Sequence, residues 1–167
     1  MMIEERLADA RVLDLFCGAG TLGLESLSRG ARRVVFVDSS RMAVSAVKDN
    51  LSRLDWTDRA QIRYGDVFRY MARRPSRRDR FDLILADPPY GLDYGARVLS
   101  RRASRSNLWF NPGALLVIQT GRRDELADSP PGFELAANKL YGETRIRIFN
   151  FVPGQADGLK PQDPQEP

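Results

Sequence analysis

The chain is 167 residues long, 43% hydrophobic and 29% charged, which suits a single domain with a sizeable core. One cysteine and no histidine exclude an internal disulfide and every Ser–His or Cys–His nucleophile and argue against a zinc site, so catalysis is left with carboxylates, amines, hydroxyls or a cofactor. A net charge of +4, mostly arginine, suits a polyanionic partner, and with no apolar run near the roughly 20 residues of a membrane span and no signal-peptide pattern, a cytoplasmic protein without a metal is expected.

Val12 to Phe16 predicts a first strand, which ends in Cys17-Gly18-Ala19-Gly20. A helix from Thr21 to Arg29 follows, with Leu22, Leu24 and Leu27 as apolar positions and Gly30 closing it. Val34 to Val37 is a second strand ending at Asp38. Ser40 reads as the N-cap of a helix from Arg41 to about Arg53, with Met42, Val44, Val47 and Leu51 on its inner face. Gln61 to Tyr64 is a third strand, followed by Gly65-Asp66 and a short helix through Met71. Phe81 to Ala86 is the fourth, running into Asp87-Pro88-Pro89-Tyr90. Two prolines fix φ and donate no N–H, so the chain must leave the sheet there as a stiff turn with free carbonyls.

Beyond that turn a helix is predicted from Leu92 to about Leu108, then a fifth strand from Ala114 to Gln119 entered through Pro112-Gly113. Phe133 to Tyr141 and Thr144 to Phe151, joined by Gly142-Glu143, read as an antiparallel hairpin. Strands alternating with helices predict a doubly wound, Rossmann-like α/β sheet, mostly parallel, with that hairpin at its end. Residues 1–152 are expected to form one domain, and the proline-rich stretch 153–167 a disordered tail.

Gly18-Ala19-Gly20-Thr21-Leu22-Gly23 has the Gly-x-Gly-x-x-Gly spacing between a strand and a helix, where glycines permit close backbone approach to a ligand. A dinucleotide and S-adenosylmethionine both use such a loop, and Asp38 would accept from ribose hydroxyls in either. Three features favour the second ligand. Asp14, inside the first strand, offers a carboxylate to a cationic group; Asp66 is placed to accept from an adenine amine; and Asp87 to Tyr90 offer acceptors and a flat ring to an amine-bearing base. Cys17 reads as a packing residue.

Together, Val12 to Glu25, Ser28-Arg29-Gly30-Ala31, Val37-Asp38, Gly65-Asp66, Asp87-Pro88-Pro89-Tyr90 and Tyr141-Gly142-Glu143-Thr144 resemble the bacterial 16S rRNA guanine-N2 methyltransferase family, over about Arg11 to Phe149. That resemblance implies a seven-stranded methyltransferase sheet, S-adenosylmethionine as methyl donor, and rRNA or a ribosomal particle as partner. It makes Asp14, Gly18, Gly20, Asp38 and Asp66 cofactor residues, and Asp87, Pro88, Pro89 and Tyr90 the catalytic site on the target base. One departure is that such proteins usually begin with a basic segment of some tens of residues, whereas ten residues precede Arg11 here.

The rival readings are a DNA adenine-N6 or protein glutamine methyltransferase, and a non-catalytic cofactor-binding subunit. Asp rather than Asn at position 87 disfavours the first two, and the intact tetrad the third. A monomer is expected. Arg73, Arg74, Arg77, Arg78 and Arg80, and Arg97, Arg101, Arg102 and Arg105, are candidate phosphate contacts.

Overall fold

A computed structural model describes residues 6–76, 79–100, 107–128 and 130–153. Its elements are β1 (Arg11–Leu15), α1 (Thr21–Ser28), β2 (Arg33–Asp38), α2 (Arg41–Arg53), β3 (Ala60–Tyr64), α3 (Val67–Ala72), β4 (Phe81–Ala86), α4 (Tyr94–Ser100), β5 (Phe110–Gly121), β6 (Phe133–Tyr141) and β7 (Thr144–Phe151). They build a seven-stranded sheet in the order β3-β2-β1-β4-β5-β7-β6. The first five strands in that order are parallel, and β7 and β6 join antiparallel.

Strand alternation sorts the side chains onto two faces. Val12, Val34, Phe36, Leu83, Leu85 and Leu115 pack with Leu27 of α1 and Val47 and Leu51 of α2. Leu13, Leu15, Val35, Val37, Ile84 and Leu116 pack on the other side with residues of α3 and α4. Both faces are covered, which is why these strands are nearly continuous apolar runs. Asp14 is the exception, a carboxylate only 1% exposed on the α1 and α2 face, level with Phe36.

Three local expectations are corrected. The helix expected from Leu92 begins at Tyr94, because Gly91 (φ 75°) and Asp93 (φ 51°) hold a turn there. Its described part runs to Ser100, and Asn107–Trp109 form a 3-10 turn. The fifth strand starts at Phe110 rather than Ala114, running through Pro112-Gly113 as an irregularity: Phe81 faces Phe110, but Leu83 faces Leu115. The first helix ends at Ser28, with Arg29 as cap and Gly30, at φ 98°, in the left-handed position that follows. Arg77, Arg78, Arg101, Arg102, Arg105 and the tail from 154 onward lie outside the described residues.

Candidate active site

In an open α/β sheet a ligand site forms at the carboxyl ends of the strands where the winding direction reverses. Here that point lies between β1 and β4, since the chain winds outward through β2 and β3 and then returns to pair β4 with β1. The glycine loop leaves β1 there, and the Asp-Pro-Pro-Tyr turn leaves β4. Asp87 N–H still reaches the Leu15 carbonyl at 3.4 Å, tying the two exits together.

A cavity of about 640 Å³ opens over these ends. This is within the roughly 300–1,000 Å³ usual for small-molecule sites. Gly18, Asp38 and Asp66 line one side, and Asp87, Pro88, Pro89 and Tyr90 the other. Seven of the nine residues singled out from the sequence are therefore gathered around one cavity. Asp14 and Gly20 do not line it. Gly20 sits at φ 83° as the N-cap of α1, where a Cβ would come within 3.0 Å of Val47 and 3.2 Å of Phe36. Gly18, also left-handed at φ 53°, has nothing within 4 Å of where a Cβ would be, so its open side faces the cavity.

Asp14 lies behind the loop and accepts a hydrogen bond from Gly23 N–H at 2.9 Å. Burial pushes its carboxyl up to about 7, the Gly23 hydrogen bond opposes that, and nearby Asp87 and Asp38 add to it. Between its ordinary value and about 7 the folded chain holds a proton that the unfolded chain has released. Stability should therefore fall as pH rises through that window. In Asp14→Asn, urea midpoints measured from pH 5 to 8 should lose this decline; parallel curves for the two proteins would refute the assignment.

Asp38 is engaged on both oxygens: Oδ2 accepts from Gly18 N–H at 2.9 Å and Oδ1 from Ser40 N–H at 2.8 Å. It thereby fixes the glycine loop against the start of α2, while a carboxylate's further lone pairs remain for a ligand. Asp66 is both a cap and a cavity residue, accepting from Arg69 N–H at 2.7 Å at the N-terminus of α3. Asp87 differs from both. Its half-buried carboxylate accepts no hydrogen bond among the described residues, and desolvation raises its pKa. A fixed, unpaired acceptor at the cavity wall is what remains.

Tyr90 is held by its tip. Gln119 Nε2 donates to its hydroxyl at 3.2 Å, and the hydroxyl shares a 3.1 Å hydrogen bond with Thr144 Oγ1. Gly91 N–H donates to Asp124, which also accepts from Gly121 N–H at 2.9 Å. The closing Tyr141-Gly142-Glu143-Thr144 turn of the hairpin thus serves the site by positioning the ring of Tyr90, which is itself 46% exposed.

Sequence reasoning missed the aromatic part of the wall. Phe16, Phe68 and Tyr94 line the cavity as one cluster, with ring centroids 5.8, 5.8 and 5.2 Å apart. Phe16 sits at φ 58°, strained for a bulky residue and common where a site over-determines the backbone. A legible signal existed: Phe16 and Phe68 each stand two residues after an assigned aspartate. Cys17 is 8% exposed, and burial raises its thiol pKa, which fits packing rather than nucleophilic attack.

The profile of the family described as "Conserved hypothetical protein 95" matches residues 1–150. A Bacillus subtilis protein named "Putative rRNA methyltransferase YlbH" is 32% identical over 148 residues, covering 89% of this chain and 79% of its own. "Ribosomal RNA small subunit methyltransferase D" of Haemophilus influenzae is 28% identical over 138 residues, covering 82% of this chain and 69% of its own. The solved structure of a methylase from the same organism, titled a putative one, superposes with a TM-score of 0.79 at 23% identity over 90% of this chain and 92% of that one, which establishes the shared fold.

Proposed function

The chain belongs to the conserved hypothetical protein 95 family, and on that footing we propose that it transfers a methyl group from S-adenosylmethionine to the exocyclic N2 amine of a guanine in 16S rRNA. The proposal rests most on Asp87, a half-buried carboxylate that accepts no hydrogen bond among the described residues, at the edge of an acid-lined cavity. The names of the two relatives support rRNA as substrate, and the protein is read as a cytoplasmic monomer acting on rRNA or a ribosomal particle.

The charge of the site fits this cofactor better than a dinucleotide. Asp38, Asp66 and Asp87 stand on the cavity and Asp14 behind it. A pyrophosphate would meet carboxylates there, whereas a cationic ligand gains from those on its own side of the cavity, Asp38 and Asp66. When bound, S-adenosylmethionine would supply an electrophilic methyl group on a positively charged sulfur. Gly18, Asp38 and Asp66 are the residues that would hold it, with Asp14 acting from behind the loop.

The chain's own residues then work on the acceptor. A guanine amine is a poor nucleophile because its lone pair is delocalised into the ring. Asp87 and the Pro88 carbonyl accept its two N–H bonds, which biases the nitrogen toward a pyramidal shape and draws its lone pair out of conjugation with the ring. Positive charge developing on that nitrogen is stabilised by the fixed carboxylate, which can then take the proton. Tyr90, anchored at its hydroxyl, offers its face to the base, and Phe16, Phe68 and Tyr94 keep water from the apolar side.

The test is methyl transfer from labelled S-adenosylmethionine to small-subunit rRNA, free and in particles, taken from a strain lacking this gene. Nucleoside mass spectrometry should find N2-methylguanosine; label on adenine, on a protein amide, or nowhere would overturn the proposal. Asp38→Ala should weaken S-adenosylmethionine binding by about tenfold or more, since it removes a ligand contact and unpins Gly18 together. Unchanged affinity in titration calorimetry would sink that role.

A further inference from the structure

The acidic cavity raises a problem that a second feature answers. Carboxylates that attract a cationic cofactor repel phosphates, so an RNA backbone cannot be held by the cavity and must be gripped beside it. Directly beside it, sharing Asp66 as a common wall, lies a groove of about 300 Å³ lined by Arg63, Tyr64, Arg69, Tyr70 and Arg73. Resting on the rRNA reading above, we infer that this groove, between β3 and α3, is the docking track for the phosphodiester backbone of single-stranded RNA flanking the target base.

Four observations carry the inference. Arg63, Arg69 and Arg73 are exposed, and none forms an ion pair with a carboxylate among the described residues. Arg73 is preorganised: its guanidinium lies 4.1 Å from the centre of the Tyr70 ring, and its Nε donates to the Tyr70 carbonyl at 3.3 Å. Stacking in this way fixes the plane of the fork and leaves its other N–H edges to a phosphate, at less entropic cost than a free side chain. Tyr64, 58% exposed and flanked by the Arg41 guanidinium at 5.6 Å, offers a ring face on which a base can stack. Arginines interleaved with aromatic faces are the recurrent chemistry of single-strand binding.

The same helix links groove and cavity. Val67 and Phe68 of α3 line the cofactor cavity, while Arg69 and Tyr70, the next two residues, line the groove. A strand seated on the second face would pass the Asp66 end of the cavity and present an extruded base to the Asp87 side. Neither the helix pattern nor the family resemblance pointed to Arg63 or Arg69.

The experiment uses the full chain and a fluorescein-labelled single-stranded RNA carrying a small-subunit rRNA sequence, read by anisotropy across a salt series. Arg63→Gln/Arg69→Gln/Arg73→Gln should weaken binding about tenfold or more and lower the slope of log affinity against log salt by about 2, at roughly 0.7 for each phosphate left without its arginine. S-adenosylmethionine affinity should stay within about twofold, confirming an intact fold. An equal removal of charge at Arg32, Arg33 and Arg53 should have little effect. If the wild-type chain binds the RNA but the groove variant matches it in affinity and salt slope, or the control variant loses as much, the groove is not the track and the rRNA reading stands. If the wild-type chain neither binds nor methylates RNA, both fall. Displacement of the RNA by polyglutamate as effective as by unlabelled RNA would reassign the groove to an acidic polypeptide.

Discussion

Asp87→Ala is expected to lower methyl transfer by about 10²- to 10⁴-fold while S-adenosylmethionine binds with near-normal affinity. The separation follows from what Asp87 touches. Asp38 is bonded to the glycine loop and Asp66 to the first turn of α3, so replacing either disturbs the walls of the cavity. The Asp87 carboxylate holds no such structural bond among the described residues, and Pro88 and Pro89 keep the turn stiff without it. Alanine there removes the acceptor and leaves the scaffold.

Asp87→Asn sharpens the interpretation. It keeps a carbonyl acceptor for one N–H of the substrate amine but loses the negative charge that stabilises the developing cation. Activity between that of the wild type and alanine would indicate that geometry and charge both contribute. Single-turnover rates at saturating RNA, with cofactor affinity measured separately, make the comparison; Asp87→Ala turning over near the wild-type rate would falsify the catalytic role.

Much of this site could be read along the chain because its parts are local. A strand followed by Gly18-Ala19-Gly20, a strand ending in Asp38, and a strand broken by Pro88-Pro89 each announce a turn through backbone chemistry that a few residues determine. The expected antiparallel finish is realised in the same way, with Gly142 at φ 59° in the turn between β6 and β7. Features that depend on long-range packing were not legible. The left-handed turn through Gly91 and Asp93 displaces the start of α4, and the bond that holds it, Gly91 N–H to Asp124, comes from 33 positions along the chain. Pro112 would break a regular strand, yet it is accommodated where the register between β4 and β5 slips.

The position of Asp14 shows the same limit more clearly. Its placement inside a strand signalled a charged partner, and a cationic ligand was the natural candidate. The fold supplies a backbone N–H from α1 nine residues away and encloses the carboxylate to 1% exposure. Only the pairing of β1 with β2, which sets Asp14 level with Phe36, and the seating of α1 over both determine that outcome. Burial of this kind couples the glycine loop to the core.

Gly23→Ala is expected to be the most damaging small substitution in the loop, because that coupling has no spare volume. A Cβ at Gly23 would stand 2.8 Å from Cζ of Phe36 and closer still to its Cε1, and 2.9 Å from Asp14 Oδ2. Phe36 is fully buried on β2, paired with strands on both sides and covered by α1 and α2, so it has little room to yield, and the crowded oxygen is the one that accepts the Gly23 N–H. Relief therefore requires α1 to lift from the sheet, which lengthens or breaks the hydrogen bond to a buried carboxylate. Overpacking of about 1–3 kcal/mol combines with a further cost of about 1–3 kcal/mol for the weakened bond. Because α1 begins at the glycine loop, the displacement also moves Gly18 and Gly20, and S-adenosylmethionine affinity should fall with stability. Alanine is otherwise the better helix former, so helix propensity alone predicts the opposite sign. Urea denaturation and calorimetric titration of the same variant decide between them: a Gly23→Ala protein as stable as the wild type, binding cofactor as tightly, would show that α1 is free to move over Phe36 and that Asp14 does not hold the loop in place.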